Sequence, residues 1–211
     1  GATFTEIKNS LGGMPIEFIP LVVAEKDAVT GALGARDAFV IDVGGDETTL
    51  LAIRGGRFAH AAFVPYGVRR FTEALGKKAK LQYAEARDYI RHYGQGMGGR
   101  HLQVLAGEVA TEAVAEWKNL FVRALDSFYP VGPLPADVLL TGGGARFPEL
   151  RSAVQAPDWL GTVSYAAAPA LRVVEGATFF GGDTLGGHLD GPEDAGLASL
   201  MVYSTNHQPL F

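Results

Sequence analysis

The chain has 211 residues, 47% apolar and 19% charged, enough to bury a sizeable core in one or two compact domains. Its net charge of −5 and sequence pI near 5.5 exclude a basic nucleic-acid footprint, and no Lys/Arg run offers a patch to anionic lipid. Cysteine is absent, which removes disulfides, thiol catalysis and zinc-thiolate sites.

Residues Gly1 to Lys8 lack the charged-then-apolar order of a signal peptide, and no apolar run is long enough to span a bilayer. Without a starting Met the chain reads as a fragment, with Gly1 a remnant of cloning. Met14 to Leu21 predicts a short strand. Ala24 to Leu33 predicts a short helix closed by Gly34 as its C′ glycine. Ala38 to Val43 is an apolar run of the kind buried on both faces. Thr48 to Arg54 and Arg57 to Val64 predict two strands joined at Gly55-Gly56, a two-residue hairpin signal. With Ala38 to Val43 they make a β-meander.

After Pro65-Tyr66-Gly67 the period becomes helical. Helices are expected over Val68 to Leu75 and Tyr83 to Tyr93, with a break at Gly94 to Gly99. The longest helix is expected from about Leu102 to Phe128. Leu102, Leu105, Val109, Ala113, Trp117, Leu120, Phe121, Leu125 and Phe128 form one stripe along it. Glu108, Glu112 and Glu116 fall on a separate, solvated face. Pro130, Pro133 and Pro135 punctuate a loop before the strand Asp137 to Leu140. A short helix begins near Pro148, and Val163 to Ala166 and Leu171 to Val174 predict further strands. Gly181 to Gly191 reads as a loop. Pro192-Glu193-Asp194 reads as the first turn of a final helix, with Leu197, Leu200 and Met201 facing the core.

Two glycine turns each close an apolar strand, about 100 residues apart: Asp42-Val43-Gly44-Gly45-Asp46-Glu47-Thr48-Thr49 and Thr141-Gly142-Gly143-Gly144-Ala145. In α/β sheets ligands bind at the carboxyl edge, where Asp42 would project. Gly44 and Gly45 allow a tight turn that offers N–H groups to an anion. Thr48 and Thr49 alternate across the next strand, so one hydroxyl would face a phosphate. Asp42 suits a magnesium ion held through water, or an attacking water. Asp46 and Glu47 would repel a phosphate unless they point to solvent or to metal. In the second turn, three glycines strip Cβ atoms from a surface on which a base or ribose can lie, and the helix near Pro148 adds positive potential. A tight acidic turn without a ligand, and close helix–strand packing at the triple glycine, remain the plain structural alternatives.

Other constellations carry less. Gly94-x-Gly96-x-Gly98-Gly99 follows a helix rather than a strand, the wrong context for a dinucleotide fingerprint. His60, His92, His101, His188 and His207 have no close ligand spacing. Asp183, Asp190, Glu193 and Asp194 match no calcium loop. Trp117 and Trp159 read as core residues rather than stacking platforms.

The pattern Asp42-Val43-Gly44-x-x-x-Thr48-Thr49-Leu50 resembles the second phosphate loop of the actin-like ATPases. Leu140-Thr141-Gly142-Gly143-Gly144-Ala145-x-x-Pro148-x-Leu150 resembles their adenosine loop. Ile16 to Leu21, the Gly55-Gly56 hairpin, Val64-Pro65-Tyr66-Gly67, Phe71 to Ala74 and Leu81 to Ala86 are similar to the bacterial branch containing PilM and FtsA. The resemblance covers most of residues 14 to 155. It implies an α/β fold: the second lobe of an actin-like (RNase H-like) protein, a mixed sheet with flanking helices. Residues 1–211 would be one such lobe, with an inserted helical subdomain at about 68–128. ATP would be held through Gly44, Gly45, Thr48, Thr49, Thr141, Gly142, Gly143, Gly144 and Ala145. Asp42 would serve catalysis and, through water, magnesium. The family's first phosphate loop lies in an N-terminal lobe that the chain lacks, so the expected partners are that lobe and a membrane-associated assembly protein. No nucleic acid and no direct membrane insertion are expected. The implied role is a cytoplasmic scaffold for pilus, secretion or division machinery, peripheral to the inner membrane through its partners. At most it is a slow ATPase when whole and inactive as a fragment. Two alternatives stay open: a lobe of a small-molecule kinase of the same superfamily, and an interaction module that has lost nucleotide binding, which Glu47 favours.

Overall fold

A computed structural model describes residues 19–93, 99–156, 161–181 and 188–207. Of the segments named above, Met14 to Phe18, Gly94 to Gly98, Trp159 and Asp183 lie outside the described residues. The elements in order are α1 (Leu21–Gly31), β1 (Ala38–Val43), β2 (Thr48–Arg54), β3 (Arg57–Val64), α2 (Val68–Ala79), α3 (Tyr83–Arg91), α4 (Arg100–Leu125), β4 (Asp137–Thr141), α5 (Pro148–Val154), β5 (Ala170–Val173) and α6 (Ala195–Asn206). They build a five-stranded mixed sheet in the order β3-β2-β1-β4-β5. β1, β2 and β3 form the antiparallel meander, whereas β4 runs parallel to β1 and β5 parallel to β4. β1 is buried along its whole length, as its apolar run requires.

The hairpin glycines Gly55 and Gly56 take φ of 56° and 76°, the doubly left-handed turn that suits a twisted two-residue connection. α1 ends at Gly31 with Ala32 as its C-cap, short of the expected end at Leu33, and Gly34, at φ 65°, turns the chain beyond it, where the Ala35 amide donates to the Val29 carbonyl. α2, α3, α4 and α5 cover one face. There Phe71, Ile90, Trp117, Phe121 and Leu150 share a core with Phe39, Ile41, Leu50 and Leu140. α1 and α6 cover the other face, where Ala28, Val29 and Ala198 meet Val40, Leu51, Ile53 and Leu139.

Several expectations are corrected. α1 starts at Leu21, so the end of the expected strand is already helical. α2 runs on past Gly76 to Ala79, with Lys80 left-handed at its end. Gly76 is a packing glycine: a Cβ there would lie 3.2 Å from the Leu81 carbonyl oxygen and 3.6 Å from Ala86 of α3. Val163 to Ala166 gives a single bridge, Tyr165 to Leu134, rather than a strand. Leu134 stands between Pro133 and Pro135, which have no amide to extend a ladder.

Glu108 and Glu112 are not simply solvated, since both reach Lys78 of α2, at 3.0 and 3.2 Å. Glu116 accepts from the Tyr66 hydroxyl at 3.2 Å. On α6 the inward residues are Ala195, Ala198 and Ser199, while Leu197 and Leu200 are 54% and 39% exposed and Met201 is partly buried. α6 packs closely against α1, and small side chains let the two backbones approach.

Candidate functional site

Parallel pairing sets Asp42 level with Thr141, so the two glycine turns leave the same edge of the sheet from adjacent strands. They touch. Gly142 has φ 80°, and a Cβ on it would lie 2.2 Å from Asp42 Oδ1 and 2.5 Å from the Val43 carbonyl oxygen. A Cβ on Gly144 would lie 2.2 Å from Val43 Cγ1. Only glycine permits this approach. Gly67, the N-cap of α2, is similarly tight, its Cβ position 2.5 Å from the Gly45 oxygen.

The hydrogen bonds of the first turn run differently from the simplest expectation. The Gly44 amide donates to the Glu47 carbonyl at 3.0 Å, within the turn. The Gly44 and Gly45 carbonyls accept from the Val68 and Arg69 amides at 2.9 and 2.8 Å. The first amides of α2 are therefore spent on the turn itself. Asp46 is exposed and ion-paired to Arg69 at 2.7 Å, and Glu47 is exposed.

A cleft of about 480 Å³ opens above the two turns. Asp42, Gly44, Gly45, Gly142 and Gly143 line it, together with Val68, Arg69 and Thr72 of α2, Tyr83, Arg87, Ile90 and Arg91 of α3, Arg146 and Glu193. The remaining proposed site residues lie elsewhere. Thr48 is buried facing α4, where its hydroxyl donates to the Tyr66 carbonyl at 2.8 Å and accepts from Trp117 Nε1 at 2.9 Å. Thr49 is buried opposite Asp42 on the neighbouring strand. The Thr141 hydroxyl lies 3.1 Å from both the Val174 and Pro192 carbonyls. Gly144 and Ala145 are buried in the single-turn helix beneath the cleft floor.

Two electrostatic features were not read from sequence. Glu25 of α1 is 4% exposed, and its nearest ionisable neighbour is Asp42. Burial raises the Glu25 carboxyl well above its ordinary range, and the Asp42 charge raises it further. Asp42 is also raised, chiefly by burial, with the contact to Glu25 working the other way. The second feature is a cationic wall: Arg69, Arg87, Arg91 and Arg146. Arg146 forks onto Glu193 with two bonds of 2.7 Å. Burial pushes the Glu193 carboxyl up, but these bonds outweigh it and hold the group below its ordinary value. Glu25 was findable, because it shares the i, i+3, i+4 stripe of Ala28 and Val29. Arg69, Arg87 and Arg91 sit on exposed helix faces, Arg146 ends the short turn after the glycines, and none gives such a signal.

A glycine floor, a volume within the range of small-ligand sites and a surplus of arginine suit an organic anion of nucleotide size. Asp42, the carboxylate on the cleft floor, suits a magnesium ion whose other ligands are phosphate and water.

No family model matches the sequence, and no curated protein matches it. Solved structures do. One, described as a PilM-PilN type IV pilus biogenesis complex, overlays with TM-score 0.65 at 20% identity, covering 94% of this chain and 57% of that one. MreB5 of Spiroplasma citri bound to ADP gives 0.59 at 12% identity, with 98% and 67% covered. Ta0583, an archaeal actin homolog, gives 0.54 at 16% identity, with 88% and 56% covered. The chain thus spans little more than half the length of the PilM neighbour. These neighbours belong to the actin-like ATPase superfamily, and the chain has their fold.

Proposed function

We propose that this chain is the nucleotide-binding second lobe of an actin-like scaffold protein, and that its cleft takes ATP with magnesium. The observation that carries the reading is the contact of the two glycine turns at one sheet edge, under one cleft. Gly142 and Gly143 would lie against the adenosine, and Gly44 and Gly45 would border the phosphates. Asp42 would hold magnesium through water. Arg87 and Arg91 supply most of the charge that draws a polyphosphate in, because Arg69 and Arg146 are already paired with Asp46 and Glu193. Thr48 is assigned no phosphate contact, because its hydroxyl already serves Trp117 and Tyr66.

The PilM neighbour, described in complex with PilN, supports a scaffold role with a protein partner, here an assembly protein at the inner membrane. Among the described residues no helix is long and apolar enough to cross a membrane, so membrane attachment would run through that partner. Hydrolysis is assigned to the whole protein only, and as slow. One lobe supplies half of the cleft, so the isolated chain should bind with a dissociation constant above roughly 1 mM, about 4 kcal/mol.

Amide NMR of the 211-residue chain, titrated with magnesium-ATP to about ten times that concentration, tests this. Shifts confined to Gly44, Gly45, Gly142, Gly143 and α3, and lost in the double variant R87A/R91A, are expected. An unresponsive spectrum would instead favour the interaction module without nucleotide, the reading to which the engaged Thr48 hydroxyl and the exposed Glu47 lend weight.

A further inference from the structure

The outer edge of the sheet bears a surface that fits a copy of itself. β3 is the terminal strand and, at eight residues, the longest. Its pairing with β2 slips between Ala52 and Ile53: His60 faces Ala52, Phe58 faces Ile53, and Ala59 is left over. Directly opposed residues share a face, so Phe58 joins Ile53, Ala61 joins Leu51, and Phe63 joins Thr49 on the α1 side. The bulge thereby brings two phenylalanines five positions apart onto one face. They are 51% and 56% exposed.

Natural sheets protect a long edge with lysine, proline, an outward charge at mid-strand or a bulge. β3 has only the bulge, and the bulge turns both phenylalanines to one face. His60, its central polar residue, is turned onto the protein, 3.1 Å from Ser127 Oγ and edge-on to Phe128.

We propose that β3 pairs antiparallel with β3 of a second copy of this chain, about a two-fold axis through Ala61. Ala61 then faces Ala61 of the second copy, and His60 faces Ala62. Because each strand carries the same bulge, Phe58 meets Phe63 of the other copy, and Arg57 meets Val64. Both aromatic pairs fall on the α1 face, at cross-strand distance. The contact is isologous and closed, as a two-fold requires. Its ends also match in charge. Arg57 is exposed at one end of β3, and Glu47 is exposed beside Thr48, the residue paired with Val64 at the other. One strand pair and two aromatic contacts make a small interface, so the dimer is weak and concentration-dependent. Two sheets become one of ten strands, and the clefts are left untouched.

Sedimentation velocity on the full chain over a wide concentration range should show a monomer–dimer equilibrium. F63K should abolish the dimer while leaving far-UV circular dichroism unchanged, since the side chain is more than half exposed. The chain has no cysteine, so A61C on the axis should form a disulfide dimer under mild oxidation. L197C, at a more exposed position on α6, should not. A monomer at every concentration, a dimer indifferent to F63K, or A61C linking no faster than L197C overturns the proposal, and none of these outcomes bears on nucleotide binding.

Discussion

Replacing Gly142 with alanine tests whether the two turns meet. Two costs add. The residue sits at φ 80° and ψ 169°, a region that essentially only glycine occupies and where an L side chain costs about 1–3 kcal/mol. The new methyl also enters a space bounded at 2.2 Å by Asp42 Oδ1 and at 2.5 and 2.6 Å by the Val43 oxygen and carbonyl carbon. Two of those three atoms are backbone of the central strand, so relief requires moving β1 against β4, an overpacking cost of about 1–3 kcal/mol. Loss of glycine's freedom in the unfolded chain returns about 0.4–1 kcal/mol. The net destabilisation is about 1–6 kcal/mol, set against the roughly 5–15 kcal/mol available to a domain. Gly45 is the control. It lies in the same cleft wall, but a Cβ there meets nothing within 4 Å, and Gly45→Ala should leave stability unchanged or raise it by up to about 1 kcal/mol. Urea unfolding followed by tryptophan emission, with Trp117 buried as a reporter, gives both values. If Gly142→Ala and Gly45→Ala unfold at the same midpoint, the turns are not in contact and the shared cleft loses its basis.

Three further outcomes follow from named contacts. Thr48→Val leaves the buried Trp117 indole N–H without its acceptor, at a cost of about 1–3 kcal/mol. It should leave ATP-induced amide shifts in place, and their loss in a folded variant would put Thr48 back at the phosphates. Glu25 and Asp42 are both raised, so the folded state keeps protons that the unfolded chain releases. The stability they contribute is complete below the unfolded carboxylate range and drains away as pH climbs through their raised values. Glu25→Gln should therefore flatten the fall in urea midpoint as pH rises above the ordinary carboxylate range, and an unchanged slope would contradict the buried pair. Glu193→Gln removes the charge from the Arg146 fork at a half-exposed site and should cost no more than about 1 kcal/mol by urea unfolding.

Much of the sheet was legible because its signals are local. A fully apolar run, a double glycine and a run of alternating residues each require one backbone geometry, and β1, β2 and β3 obey. Both turns were legible for the same reason. What escaped depends on what packs against what. Gly76 looks like a helix end until α3 is laid against it. Leu197 and Leu200 look like core residues until α1 approaches so closely that the small Ala195, Ala198 and Ser199 face inward instead. Thr48 looks available to a ligand until Trp117, 69 positions later, donates into its hydroxyl. Glu25 shows the converse case: the stripe marks it as inward, but nothing local names Asp42 as its neighbour.

These long-range contacts share a consequence for the cleft. Each wall is fastened to a glycine turn or to a neighbouring helix by a bond that sequence patterns do not announce. α2 is tied to the first turn through the Val68 and Arg69 amides, and to α4 through Lys78. Tyr66, just before α2, donates to Glu116 on α4. α3 is followed by Tyr93, whose hydroxyl donates to Glu149 on α5 at 2.7 Å. The loop before α6 receives the Gly142 amide at the Pro192 carbonyl and returns Glu193 to Arg146. A cleft walled by loops alone would close or gape freely. Here α2 and the loop before α6 cannot part from the floor without breaking bonds to the turns, and α3 is held through α5. The separation of the arginines from the glycines is thus set by the fold, and a ligand selected by that spacing is read by the same contacts that keep the lobe together.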